Sequence, residues 1–517
     1  MKAQGARRWW ALAAVSLGVL AVGLDGTVLT VALPTLAKAL HASESDLQWF
    51  TSGYFLVLAA AMLPAGLLGD RFGHKKVLTV ALGLFGVGSV ACAYSTSVGE
   101  FLAARVLLGL AGAGVVVMAI SALTVLFTKT ERPKAVGIWA AANFLSLPIG
   151  PILGGWMLSH FWWGWVFLIN APVAAIGVVA LITLVPESRA AERPGFDAVG
   201  VALSVAGLVA LTYGFIEAGQ EGWSDPAAVA AMLVGLVGLV AFGVWERRLN
   251  RRPGGKPLLD LSLFGSASFT WGVILAAFAV LAMIGVLFTM PQYFQGVLGA
   301  DAMGSGLRLL PVILGLVVGA VPAERIVRVA GAKLVAAAGF LLLATGLLVG
   351  STTGVGSSTL FLAVWMAVAG MGLGLALSTS TSAALVELSE ERSGVGSAVL
   401  QAVNKVGGPF GTAILGSALS SVYLSRLVLP GLPAPAVAAI RRSVFAGVAV
   451  AQQAGSPSLL HSVRSAFTAG MDMALVVSAG IAMVGLVLTL RFLPRSNAVQ
   501  HNQRMQPETG RELAGIR

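Results

Sequence analysis

Gly66-Leu67-Leu68-Gly69-Asp70-Arg71-Phe72-Gly73-His74-Lys75-Lys76 joins two apolar runs, roughly 48–69 and 77–95. Each run approaches the ~20 residues that an α-helix needs to cross ~30 Å of hydrocarbon, and the charged stretch between them has room only for a turn. Working outward from this pair, fourteen such runs appear: about 9–33, 48–69, 77–95, 101–126, 136–158, 164–185, 197–217, 226–246, 268–291, 305–323, 333–350, 359–386, 395–423 and 471–493. They are continuously apolar and far longer than the ~10 residues of a barrel strand, so the expected fold is all-α and integral to a membrane. Composition agrees: 57% of the 517 residues are apolar and 11% charged, with a mean hydropathy of +0.89. Ordinary globular chains carry ~25% charged residues, so soluble, disordered and nucleic-acid-binding classes are excluded. Cys92 has no partner cysteine and five scattered histidines show no metal spacing, so no disulfide framework, metal site or cofactor is expected.

Lys2, Arg7 and Arg8 ahead of Trp9 imitate a signal peptide, but the apolar run that follows is too long for one and contains Asp25. It is read as the first span. An even span count puts both termini on one side, and a cytoplasmic assignment places 25 of the 33 Lys and Arg residues in the tails and the loops after even-numbered spans. The net charge of +11 then needs no nucleic acid; Arg247, Arg248, Arg251, Arg252 and Lys256 are suited to membrane lipid headgroups. The chain also repeats. Gly73 precedes Gly150-Pro151 by 77 residues and Gly331 precedes Gly408-Pro409 by 77, an offset of 258 both times. The expected organisation is a six-helix half over 1–190, two inserted helices and a linker over 191–262, a second six-helix half over 263–495 with a long outer loop at 424–470, and a cytoplasmic tail at 496–517. Repeats of this kind build a path between the halves of secondary transporters.

The Gly66 to Lys76 stretch resembles the signature loop of the major facilitator superfamily, and other stretches resemble its fourteen-span drug:proton antiporter branch. Leu24-Asp25-Gly26-Thr27-Val28 with Val31-Ala32-Leu33-Pro34 is similar to the first-span motif of that branch. Arg105-Val106 with Gly109 and Gly112 is similar to the fourth-span motif, and Gly150-Pro151-Ile152-Leu153-Gly154-Gly155 to the antiporter motif of the fifth. Trp163 to Pro172 also matches, except that Gly164 stands where the family usually has Arg. The resemblance implies a major facilitator fold, with proton-coupled efflux of lipophilic drugs or antibiotics across a bacterial cytoplasmic membrane by alternating access. It makes Gly66, Asp70, Arg71, Gly73, Lys75 and Lys76 a conformational latch; the matching Glu324 to Gly331 stretch is degenerate. The alternatives are a same-fold transporter of one endogenous metabolite, and a membrane sensor or enzyme. Neither a catalytic constellation nor a phosphate-binding loop favours the last, so the chain is not expected to be an enzyme. A monomer is expected.

The residues carry part of this reading themselves. An ionised Asp25 some sixteen residues into a span costs at least ~2.5–3.5 kcal/mol, so it must be paired, hydrated or protonated, which suits a reversible proton carrier. A purely structural salt bridge is the competing reading. Arg105 lies at similar depth, and Glu217 closes span seven, where it serves proton coupling or simply reaches interfacial water. Ser146, Gly150 and Gly154 share one face of span five, letting another helix approach, with Pro151 weakening the backbone ladder. Trp49, Tyr54, Trp139, Asn143, Gln292, Tyr293, Gln401, Asn404 and Lys405 are candidates to line a substrate cavity. With Asp25 taken as the one deep carboxylate, dications are expected to be poor substrates.

Overall fold

The computed structural model describes residues 2–127, 131–187, 197–252, 261–386, 390–429 and 432–494. The expected tail at 496–517 and Lys256 lie outside them. The described residues are helical throughout, with no strand. With the expected boundaries 1–190, 191–262 and 263–495 used as labels for a first half, an inserted pair and a second half, the first half comprises α1 (Lys2–Ala39), α2 (Glu44–Phe72), α3 (His74–Ala93), α4 (Val98–Leu126), α5 (Arg132–His160), α6 (Trp165–Leu168) and α7 (Asn170–Leu184). The inserted pair is α8 (Ala198–Glu221) and α9 (Pro226–Asn250). The second half comprises α10 (Ala267–Gln292), α11 (Ala302–Arg308), α12 (Leu310–Ala330), α13 (Ala332–Gly350), α14 (Thr359–Val386), α15 (Glu390–Arg426), α16 (Ala434–Arg442), α17 (Val444–Gln453) and α18 (Pro457–Phe492).

Eleven segments among the described residues are long and apolar enough to cross a membrane, so the protein is a multi-pass membrane protein. Its surface agrees: Leu233, Val234, Leu236, Val237 and Val240 on α9 are all exposed, as a helix facing lipid requires. Polar residues start most helices. Ser43 and Asp46 form a reciprocal capping box on α2, and the side chains of Ser97, Asp197, Asp225 and Asp301 accept backbone N–H bonds at the starts of α4, α8, α9 and α11.

Several expected boundaries move. The apolar run 164–185 is interrupted at Ile169, and 305–323 belongs to α11 and α12, which break at Leu309. The expected outer loop 424–470 is substantially helical: it holds α16 and α17, and α18 begins at Pro457, fourteen residues before the apolar run. Arg426, Arg441, Arg442, Gln452, Gln453 and Arg464 break this stretch into pieces too short for an apolar span, although Ile440, Val444, Phe445 and Ala451 are buried against protein. The Gly66 to Lys76 stretch is likewise helical up to Phe72, so Gly73 alone makes the turn. There its φ is +109° and its N–H donates to the Gly69 carbonyl at 2.8 Å. Gly331 has φ +81° and donates to Val327 at 2.8 Å, so the sequence repeat is a repeat of backbone geometry that favours glycine in both halves.

The bundle therefore has a basic end, marked by Gly73 and Gly331, and a far end. At the far end the halves meet closely. A Cβ on Gly155 of α5 would stand 2.6 Å from the Ala302 carbonyl oxygen of α11, Gln295 donates to the Val31 carbonyl at 3.1 Å, and Gln48 donates to Ser420 at 3.3 Å. The inserted pair is fastened beside this seam, where Ser417 of α15 donates to the Phe215 carbonyl of α8 and Gln220 donates to Ser420 at 3.4 Å.

Candidate functional site

Arg105 reaches the first span because α4 lies almost on the backbone of α2. A Cβ on Gly109 would meet the Tyr54 carbonyl at 2.8 Å, and one on Gly112 would meet Leu58 and Val22 at 3.3 Å. One turn before Gly109, Arg105 Nη1 donates to Asp25 Oδ2 at 2.6 Å, and both side chains are 0% exposed. Its Nε donates to the Phe50 carbonyl at 3.2 Å, and its guanidinium lies over the Tyr54 ring, 4.1 Å from the centroid. Carbonyl, carboxylate and ring face all offer negative potential to a cation that water does not reach. Asp25 Oδ1 and Arg105 Nη2 are buried and make no hydrogen bond among the described residues. The pair is charge-balanced with one free acceptor on the carboxylate.

The small residues of span five pack on the helix that carries Asp25. Thr27 donates to the Ser146 carbonyl at 2.9 Å; a Cβ on Gly150 would run into Thr27, and one on Gly154 would lie 2.8 Å from Val28 Cγ1. Gly155 and the Pro151 carbonyl turn instead to α11, where Gly306 sits against Pro151. One helix thus touches both the Asp25 turn of α1 and the seam between the halves.

Around Gly73 the contacts stay within the first half. Lys75 Nζ donates to the Ile182 carbonyl at 2.7 Å, in the last turn of α7, and the Lys75 N–H donates to Glu187 at 3.2 Å. A cation on exposed C-terminal carbonyls is favoured by their free lone pairs and by the helix dipole. Gly66 and Gly69 are helical and face α4, where a Cβ on Gly69 would collide with Met118. Arg71 and Lys76 are exposed. The Asp70 side chain lies outside the described residues, as do those of Asn143, Gln401 and Lys405.

The remaining candidates separate. Tyr54 is 0% exposed, and its hydroxyl donates to the Val22 carbonyl at 3.3 Å, so it supports the ion pair and faces no cavity here. Tyr293 donates to the Gly354 carbonyl at 2.6 Å inside the second half, and Gln292 is buried in the seam, donating to Glu44 at 3.1 Å. Trp49 lines an apolar groove of about 970 Å³ along α8. Trp139 Nε1 and Asn404 Oδ1 are buried without a hydrogen-bond partner among the described residues. Glu217 is half-buried on the inserted pair and makes no ion pair with Arg105.

Four carboxylates escaped the sequence reading, and two of them, Asp197 at the start of α8 and Glu246 of α9, are buried on the inserted pair. Glu44 is 5% exposed in the far-end seam, and Asp472 on α18 is half-buried with Oδ1 lacking a hydrogen bond among the described residues. Asp25 is therefore not the one buried acid, and the expectation that dications are poor substrates loses its premise. Glu44 precedes the apolar run 48–69 and Asp472 sits at the edge of the run 471–493, so neither stands out as a charge deep within a span. No group of three or more His, Cys, Asp or Glu among the described residues is placed to hold a metal.

The sequence model of the Major Facilitator Superfamily matches residues 15–412. The chain belongs to this superfamily. It is thus a transporter and not an enzyme. It is 32% identical to the tetracenomycin C resistance and export protein of Streptomyces glaucescens, covering 94% of this chain and 91% of that one. It is also 32% identical to the multidrug efflux pump LfrA of Mycolicibacterium smegmatis, covering 93% and 96%, and 30% identical to the methyl viologen resistance protein SmvA of Salmonella typhimurium, covering 94% and 98%. Among solved structures, a bacterial homologue of the human lysosomal transporter Spinster superposes with a TM-score of 0.64 at 16% identity, covering 94% of this chain and 96% of that one. A D-xylose-proton symporter superposes at 0.60 and 17%, covering 94% and 98%. At these identities the likeness concerns the fold.

Proposed function

We propose that this protein exports lipophilic drugs or antibiotics from the cytoplasm in exchange for protons, by alternating access through fourteen spans, with both termini and the basic end in the cytoplasm of a bacterial cell. The observation that carries the reading is the buried Asp25–Arg105 pair, set in a superfamily transporter whose relatives include resistance and export proteins. A permanent ion pair sealed from water is a weak source of stability. A carboxylate with a free acceptor oxygen is, however, well made to take a proton. Protonating Asp25 removes the charge that holds Arg105, and the freed guanidinium keeps only the Phe50 carbonyl and the Tyr54 ring. The Asp25 turn of α1 is packed on α5, and α5 is packed on α11. A change at the carboxylate therefore reaches the far-end seam through two contacts of backbone closeness, where packing permits sliding only as a unit. Trp139 and Asn404 supply a ring face and an unpaired acceptor for a flat, lipophilic substrate. The lipid-facing groove beside α8 and the arginines after α9 meet membrane lipid.

Everted membrane vesicles from cells expressing the chain test this directly. A panel of lipophilic dyes and antibiotics is expected to accumulate when respiration or an imposed gradient acidifies the lumen, and to leak out when a protonophore collapses the gradient. Accumulation that survives the protonophore refutes proton coupling. Movement of one endogenous metabolite alone, with no member of the panel transported, refutes the drug-export reading in favour of a single-substrate transporter.

A further inference from the structure

The far-end seam contains a polar cluster that the Asp25–Arg105 chemistry does not use. Glu44 of α2 accepts from Gln292 Nε2 of α10 at 3.1 Å; one turn on, Gln48 donates to Ser420 of α15 at 3.3 Å, and Gln220 of α8 donates to the same hydroxyl. Both halves and the inserted pair thus converge on one buried corner, in which Gln48, Gln292 and Ser420 are 0%, 0% and 2% exposed. Gln292 Oε1 and Gln48 Oε1 have no hydrogen-bond donor among the described residues. A carboxylate facing an amide satisfies only that amide's N–H. A carboxylic acid satisfies both ends, giving its own O–H to the orphan carbonyl oxygen.

We propose that Glu44 is a second protonation site and acts as an external pH gate: it seals the far end when protonated and favours opening when ionised. No compensating cation is in place. Among the described residues Glu44 forms no ion pair, neither with Lys38 and His41 where α1 ends nor with Arg426 at the end of α15. Asp46 on its own helix is turned to the Ser43 N–H and hydroxyl. Tyr423 of α15 is within electrostatic reach but gives its hydroxyl to the Ile440 carbonyl, Tyr293 and Asp472 interact with one another in the second half, and Glu217 and Glu221 of α8 add negative charge, not positive.

Glu44 precedes the apolar run 48–69, and burial in the closed seam pushes its carboxyl up to about 7, with the Gln292 hydrogen bond pulling the other way. Opening the seam hydrates it and returns it to the ordinary glutamate value of ~4.3. Below ~4.3 it is protonated in both states and does not oppose closure. Between ~4.3 and about 7 the closed-to-open ratio falls by up to tenfold per pH unit, and above that the loss, a few hundredfold, is complete. Because Glu44 meets far-end water whenever the seam is open, its proton returns to the side it came from. It therefore gates and does not carry. In an exporter with this topology, external acid would reseal the outer face once substrate has left.

The inference rests on alternating access but not on the substrate, so its test involves neither drug nor transport. Spin labels on Lys38→Cys and Val428→Cys, both exposed at the far end of opposite halves, report seam opening by pulsed electron resonance in nanodiscs, with Cys92→Ala as background. Wild type is expected to hold the short distance at pH 5 and to gain a longer one towards pH 8. Glu44→Gln, which keeps the amide-like contacts, is expected to stay short at pH 8; Glu44→Asp, which still titrates, keeps a pH response. A wild-type distribution unchanged between pH 5 and 8, or a Glu44→Gln protein that opens as wild type does, overturns the proposal while leaving drug export standing.

Discussion

Replacing Asp25 by Asn tests what the buried pair is worth as well as what it does. With both side chains 0% exposed and Nη1 2.6 Å from Oδ2, charge centres ~4 Å apart attract by ~4 kcal/mol at an effective dielectric constant of ~20. Stranding one partner of such a pair typically costs ~3–5 kcal/mol, because the remaining ion stays desolvated. Here the stranded ion is a guanidinium, which cannot shed its charge. It keeps the Phe50 carbonyl and the Tyr54 face, so Asp25→Asn is expected to fold and insert but to lose ~3 kcal/mol, the lower end of that range. Arg105→Met removes the ion, the bond to Phe50 and the contact with Tyr54, and leaves Asp25 to neutralise by protonation. In the double variant no buried charge remains. Unfolding in mixed detergent and dodecyl sulfate micelles should therefore show strong non-additivity, the double variant being ~2–4 kcal/mol more stable than the two single losses predict. Proton-driven efflux is lost in all three. Single losses that add to within ~0.5 kcal/mol would refute the energetic reasoning, and normal efflux by well-expressed Asp25→Asn would refute the assignment of proton coupling.

Four further outcomes are expected. Gly150→Val forces a side chain into Thr27 and Val28 within one half and should lower thermal stability by ~1–3 kcal/mol or more, read by unfolding in detergent. Gly155→Leu instead collides with α11 across the seam; it should leave each half folded but raise far-end reactivity of a thiol placed at Gln295 towards a membrane-impermeant maleimide, and unchanged labelling would contradict the placement of that contact. Lys75→Met loses one partly exposed bond to Ile182 and should cost below about 1 kcal/mol. Asp70→Asn should slow turnover while drug binding in detergent is nearly unchanged, the outcome expected of a latch that governs conformational exchange and not the cavity.

Membrane insertion was legible because it depends on composition over ~20 residues at a time, and the repeat was legible because Gly73 and Gly331 occupy turns with positive φ that other residues adopt poorly. Asp25 was legible as an isolated charge in an apolar run, and the small-residue face of span five as a periodic spacing. Helix ends were not: α18 starts at Pro457 and α15 runs to Arg426, but Arg426, Ser458, His461 and Arg464 keep those turns out of any continuous apolar run. Pairings were not legible either. Asp25 and Arg105 are 80 residues apart, and Glu44 and Gln292 are 248 apart. No local pattern encodes such a contact, which exists only once helices from distant parts of the chain have packed. Local sequence therefore determined which segments enter the membrane and where charge had to be explained. The tertiary structure decided which charges are compensated, because burial and partnership are properties of the assembled bundle.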